Sequence, residues 1–156
     1  MSREARSAEE LTAAVSGMGF DFPMIVRAAG MHTGRGCCLA SSPEDLHAFF
    51  STMKNEEFYA IDYVKNRDDD GFFQKMRFFS INGRLYPVVY HLDHVWNVHG
   101  GNRKDVMMTS PELMEREMAF LRDPVNVIGS QAFEVLFGLQ EAVGLDFFGI
   151  DFSILP

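Results

Sequence analysis

The sequence predicts an α+β fold built on antiparallel sheets, from three observations. Asn82-Gly83 joins two strand-like runs, 74–81 and 84–91, and such a pair accepts the positive φ angles of a tight hairpin. Ser42-Pro43-Glu44-Asp45, Pro111 and Asp123-Pro124 each have the form of a helix start. Helical and strand-like segments then follow one another without the regular alternation that builds a parallel sheet.

Taken in order, Ser7 and Glu10 have capping-box spacing, so a short helix is expected over 8–16, ended by Gly17 and Gly19. Residues 22–28 read as a strand, since Pro23 can open one and Ile25 and Val26 favour extended backbone. A glycine-rich loop over 30–36 leads to a short strand at 37–40. Ser42 caps the next helix, with Glu44 and Asp45 at the positive end of its dipole, and that helix reaches Met53. A strand over 57–64, a charged turn over 66–71 and the hairpin follow. Pro111 opens a helix over 111–121, and Pro124 opens a second, unbroken one over 124–142 that Gly144 closes. The final strand is expected over 146–155.

At 156 residues and 47% hydrophobic content, the chain can bury one core or the joined cores of two small subdomains. With 15 Phe and 10 Met that core is aromatic and adaptable. No stretch approaches the roughly 20 apolar residues that span a bilayer, and the polar first residues lack a signal-peptide core, so a cytoplasmic protein is expected. A net charge of −8 excludes general nucleic-acid binding, which needs clustered cations, while leaving room for a local basic pocket. Cys37 and Cys38 are neighbours whose side chains diverge in a strand, so they do not bond to each other and read as small apolar residues.

Four groupings carry chemistry. Arg27, followed by the loop holding Gly30, Gly34 and Gly36, suits a phosphate clamp: glycines admit backbone N–H groups and the guanidinium neutralises charge. The same segment also reads as a surface turn with a solvated Arg. Lys75 and Arg77 share one face of their strand, so they need a common anion or acidic neighbours. His91, His94 and His99 lie near Asp93 and Trp96, but their spacing is not that of a metal site. They read as the lining of a polar pocket, with Trp96 as an anchor. Asp151 stands between Ile150 and Phe152, and a carboxylate buried there needs a cation or a metal. On an exposed strand face it would need neither.

In this order the segments resemble the ATP-grasp superfamily, closest to the ATP-grasp-like domain at the C-terminus of bacterial tetratricopeptide-repeat proteins. The resemblance rests on 22–34, 71–77, 83–87, 96–99 and 144–152 and covers about 11–156. It implies two α+β subdomains, 1–63 and 64–156, holding ATP and Mg²⁺. The activity it implies is carboxylate–amine (or thiol) ligation through an acyl phosphate, with an unidentified carboxylate as substrate. Arg27 stands where the superfamily has a Lys on the nucleotide phosphates, and His32, Gly34 and Gly36 belong to the loop above them. The strand 58–64, with Asp62 and Tyr63, is the hinge that meets adenine. Lys75 and Arg77 face the phosphate or acyl phosphate as catalytic groups, and Asp151 is the first magnesium ligand.

The superfamily pattern continues with a strand carrying Glu and Asn as further metal ligands, and Pro156 precedes both. The expectation is therefore a fold lacking its last strand, with an open sheet edge that favours dimerisation. A catalytically inactive binding or scaffold module is the alternative reading of the same residues.

Overall fold

The computed structural model describes residues 2–4 by their backbone, and 7–31, 34–53 and 57–155 in full. It divides into two compact units, Met1–Val64 and Lys65–Pro156, each mixed α+β with one antiparallel sheet.

The first unit contains β1 (Ser2–Glu4), α1 (Ala8–Gly17), β2 (Met24–Ala28), β3 (Cys37–Ala40), α2 (Pro43–Thr52) and β4 (Glu57–Asp62). Its sheet order is β1-β4-β2-β3. The polar sequence at residues 2–4 carries no strand signal, and β1 forms there through pairing with β4, Ser2 opposite Tyr59. Both helix starts are capped as their sequences require: Ser7 Oγ accepts from the Glu10 N–H at 3.2 Å, and Ser42 Oγ from Asp45 at 3.4 Å. Two-residue alternation in β2 sends Met24, Val26 and Ala28 into a core with Leu11, Val15, Leu46 and Phe58. Ile25 and Arg27 are thereby left on the opposite face. Cys37 and Cys38 are free and half-buried, and burial pushes both thiols up.

The second unit contains β5 (Phe73–Ile81), β6 (Arg84–Asp93), a single 3₁₀ turn (Gly100–Asn102), α3 (Pro111–Arg122), α4 (Pro124–Ile128), α5 (Ser130–Val143) and β7 (Phe147–Phe152). The sheet order is β6-β5-β7. Asn82 and Gly83 turn the hairpin with φ of 47° and 74°, the left-handed pair of a tight two-residue loop. The ladder shifts register where Phe78 pairs with Pro87, a residue with no N–H to give. Phe78 is fully buried, with the rings of Phe120, Phe133 and Phe152 at 5.5, 6.0 and 5.6 Å.

Besides β1, the last helical segment and the final strand differ from the sequence reading. The helix expected to run unbroken over 124–142 is two helices, because Gly129 sits at φ 83° and ψ 152°, a conformation open to glycine alone. Asp123 still caps the first of them, accepting from the Asn126 N–H at 3.2 Å, and Gly144 closes the second in the left-handed region. The last strand stops at Phe152 because Ser153 and Ile154 leave the ladder to bond Gln74: Ser153 Oγ donates to the Gln74 carbonyl at 2.6 Å, and Gln74 Nε2 to the Ile154 carbonyl at 2.7 Å. Asn66 Nδ2 completes this knot, donating to Ser153 Oγ and to the Gln74 carbonyl, each at 2.8 Å.

The broken helix gives a paired prediction. Gly129→Ala adds a Cβ with nothing within 4 Å, so its cost is purely conformational, about 1–3 kcal/mol of stability. Gly138→Ala, in the α5 interior and equally free of steric conflict, should stabilise the chain, by roughly 0.5–1 kcal/mol. Urea midpoints at unchanged m-value check both.

Candidate functional site

In the first unit Arg27 and the glycine loop sit at the C-terminal end of β2, while Asp62 lies opposite Met24 at its other end. Arg27 projects from the face opposite the helices, and its Nη2 donates to the Met31 carbonyl at 2.5 Å, tying the strand to its own loop. The loop is closed at its base by the Ala28 N–H on the Gly36 carbonyl at 2.8 Å. Gly34 and Gly36 take φ of 73° and 62°. A Cβ at Gly36 would lie 2.8 Å from Met31 Cγ, so only glycine lets Met31 fold over it. His32 lies outside the described residues. Asp62 ends β4 exposed, and Tyr63 follows half-buried. Since β1 pairs only with residues 57–59, the β4 backbone beyond them has no strand partner on that side among the described residues.

In the second unit, alternation along β5 buries Met76 and Phe78 and turns Lys75 and Arg77 to the other face. Register then decides who meets whom: Arg77 lies opposite Asp151 of β7, and Lys75 opposite His91 of β6. The Arg77 guanidinium forks onto the carboxylate, with Nε donating to Oδ1 and Nη2 to Oδ2, the second bond 2.7 Å long. Lys75 Nζ stands 3.9 Å from the same Oδ2. The bonds from Arg77, then the nearby charges of Arg77 and Lys75, hold the Asp151 carboxyl below the usual carboxylate range. Two residues whose separate sequence signals were an anion wanted by cations and a cation wanted by a carboxylate are thus each other's partners.

His91 is 8% exposed, and its Nδ1 has no hydrogen-bond partner among the described residues. Burial lowers its pKa, opposed by Glu117 and reinforced by the cations Lys75, Arg103 and Arg77. The other histidines have contacts of their own. His94 is exposed and stacks on Phe72 at 4.6 Å, while His99 Nδ1 accepts from the Gly101 N–H at 3.0 Å and caps the 3₁₀ turn. Trp96 is half-buried in the same connection.

Sequence reasoning missed Glu117 and placed Asp93 only as a neighbour of the histidines; both are 3% exposed. Glu117 is ion-paired with Arg103, and Asp93 accepts from Asn102 Nδ2 at 2.7 Å and from the Val95 N–H at 3.2 Å. A signal for Glu117 was present: it falls on the Leu113–Phe120 stripe of α3, where a carboxylate needs a partner.

A resident Mg²⁺, which the superfamily resemblance implies, does not fit these residues. Both Asp151 oxygens are engaged by Arg77, and no group of three or more His, Cys, Asp or Glu converges among the described residues. A cleft of about 670 Å³ lies elsewhere in this unit, between Ile128–Leu136 and Phe152–Ile154, and holds none of the candidate residues. No described helix is long and apolar enough to cross a membrane.

No protein-family model and no curated protein matches the sequence. Among solved structures, the chain is similar to carboxyaminoimidazole ribonucleotide synthase from Aspergillus clavatus complexed with ATP. The TM-score is 0.51 at 12% identity, covering 99% of this chain and 36% of that one. The likeness shows the fold: mixed α+β and ATP-grasp-like, spanning about a third of that enzyme's length.

The histidine gives a pH prediction. A depressed folded pKa means the unfolded chain binds more protons, so the neutral-His91 contribution is complete above about pH 6.5 and is lost as pH falls. Wild-type stability should therefore decline on acidification below that value, and His91→Gln should flatten the decline in denaturant melts at stepped pH.

Proposed function

We propose that this chain is the ATP-binding domain of an ATP-dependent carboxylate–amine (or thiol) ligase that acts through an acyl phosphate. The observation that carries this reading is the cross-strand cluster of Lys75, Arg77 and Asp151 on an ATP-grasp-like fold. Two cations and one carboxylate leave a net positive charge on an accessible sheet face, and that attracts a phosphate oxyanion. The solved relative binds ATP on the same fold, which supports placing a nucleotide here. The likeness of sequence segments to the ATP-grasp-like domain of tetratricopeptide-repeat proteins belongs to the same reading.

The roles follow from charge and reach. Arg27 and the backbone N–H groups around Gly34 and Gly36 suit the nucleotide phosphates, and the side of β4 beyond residue 59 that has no strand partner among the described residues, with Asp62 and Tyr63, suits the base. Lys75 and Arg77 stabilise the charge that develops as the phosphoryl group passes to a carboxylate, the electrostatic part of such catalysis. Magnesium, when it accompanies the nucleotide, shields the phosphate charge. Strand β7 lies at the edge of its sheet, with Phe147 62% exposed, and the reading includes pairing of two copies along that edge.

One observation favours the second reading, a binding or scaffold module without turnover: Arg27 is spent on its own loop, bonded to the Met31 carbonyl.

Calorimetric titration with ADP tests the proposal. Saturable binding is expected, with Lys75→Ala and Arg27→Ala each weakening it by roughly tenfold, the worth of one charge-assisted contact. A flat titration of the wild-type chain would overturn it. ATP hydrolysis that depends on an added amine separates the ligase from the scaffold. Light scattering at high concentration reads the dimer.

A further inference from the structure

We propose that Asp151 serves in this chain as the carboxylate that positions Arg77 and Lys75, so that this sheet face takes phosphate oxyanions without a protein-held divalent cation. The inference rests on the nucleotide reading above and concerns how that site is charged.

The geometry points this way on three counts. Arg77 occupies both oxygens of Asp151 in a two-pronged bond, and the cross-strand register, not a flexible rotamer, puts them opposite one another. A magnesium ion asks for near-octahedral oxygen ligands, and with Arg77 forked across Asp151 the ion could not chelate both of its oxygens from that side. It would then sit beside that guanidinium and the Lys75 ammonium, which is 3.9 Å from Oδ2, with two like charges against one carboxylate.

The neighbouring acids do not make up the deficit. Glu117 is buried and paired with Arg103, and Asp93 is buried and bonded to Asn102. His91 is buried beside Lys75 and contributes no charge while neutral.

What the cluster does offer is donors. Arg77 Nη1 and the Lys75 ammonium make no hydrogen bond among the described residues, and their side chains are 41% and 28% exposed. Asp151 holds them side by side against their mutual repulsion, and one net positive charge remains for an incoming oxyanion. A cation that arrives with a nucleotide stays on its phosphates.

The test is ADP titration by calorimetry in EDTA and in excess Mg²⁺, with wild type, Asp151→Asn and Arg77→Ala. Binding should persist in EDTA. Asp151→Asn removes a repelling carboxylate but also half of the fork that positions Arg77, so binding should stay within about fivefold of wild type and remain independent of Mg²⁺. Arg77→Ala should weaken it about tenfold. Manganese electron paramagnetic resonance on the nucleotide-free wild type needs no variant to fold, and it should show no stoichiometric bound ion. Binding that requires Mg²⁺ and is lost in Asp151→Asn, or a bound Mn²⁺ without nucleotide, would overturn this inference and leave the nucleotide reading standing. No ADP binding in either buffer would overturn both.

Discussion

The register of β5 between β6 and β7 is the constraint on which the second unit depends. One strand carries the buried Phe78 and the exposed Arg77 side by side, so a slip of a single residue would put guanidinium and ammonium into the aromatic core. The tight Asn82-Gly83 turn fixes the register from one side. The stacked Phe78 and Phe152 rings and the Arg77–Asp151 fork fix it from the other, one on each face of the same two strands. Core and candidate site are therefore specified by a single pairing, and neither can shift without the other.

Much of this was legible in the sequence because it is local. Caps at Ser7, Ser42 and Asp123, the hairpin turn and the left-handed Gly144 are chemistry within four residues of each other, and the helices and strands they bound form close to where that chemistry puts them. Gly129 was the local exception: a glycine inside an apolar helical pattern can be tolerated, as Gly138 is in α5, and the pattern on either side of Gly129 is the same. What local reading could not supply was pairing across the chain. Lys75 and Arg77 were recognised as cations needing an anion, and Asp151 as a carboxylate needing a cation, but the 74-residue separation of Arg77 and Asp151 hid that each answers the other. Histidine spacing likewise could not give the individual environments: a buried site for His91, a ring contact for His94 and a turn cap for His99.

The two units treat their arginines differently. Arg27 closes a loop by bonding a neutral carbonyl, which takes up one of its donors, and no carboxylate offsets its charge among the described residues. Arg77 is matched by a carboxylate, and its charge is passed on only through the surplus that Lys75 adds. Salt should affect the two in different degrees, because an unpaired guanidinium recruits anions in direct competition with dissolved ones.

The knot of Asn66, Gln74, Ser153 and Ile154 has a mechanical meaning. Asn66 stands two residues inside the second unit, and Ser153 stands just past its last strand, yet a single hydrogen bond joins their side chains. The unit is thus a closed circuit, entered and left at one corner. Tension applied along the backbone at those two points would load this small set of side-chain bonds before reaching the ladder between β5 and β7. The corner acts as a clasp: while it holds, pulling on the flanking chain does not peel the strand that carries Asp151 away from the strand that carries Arg77.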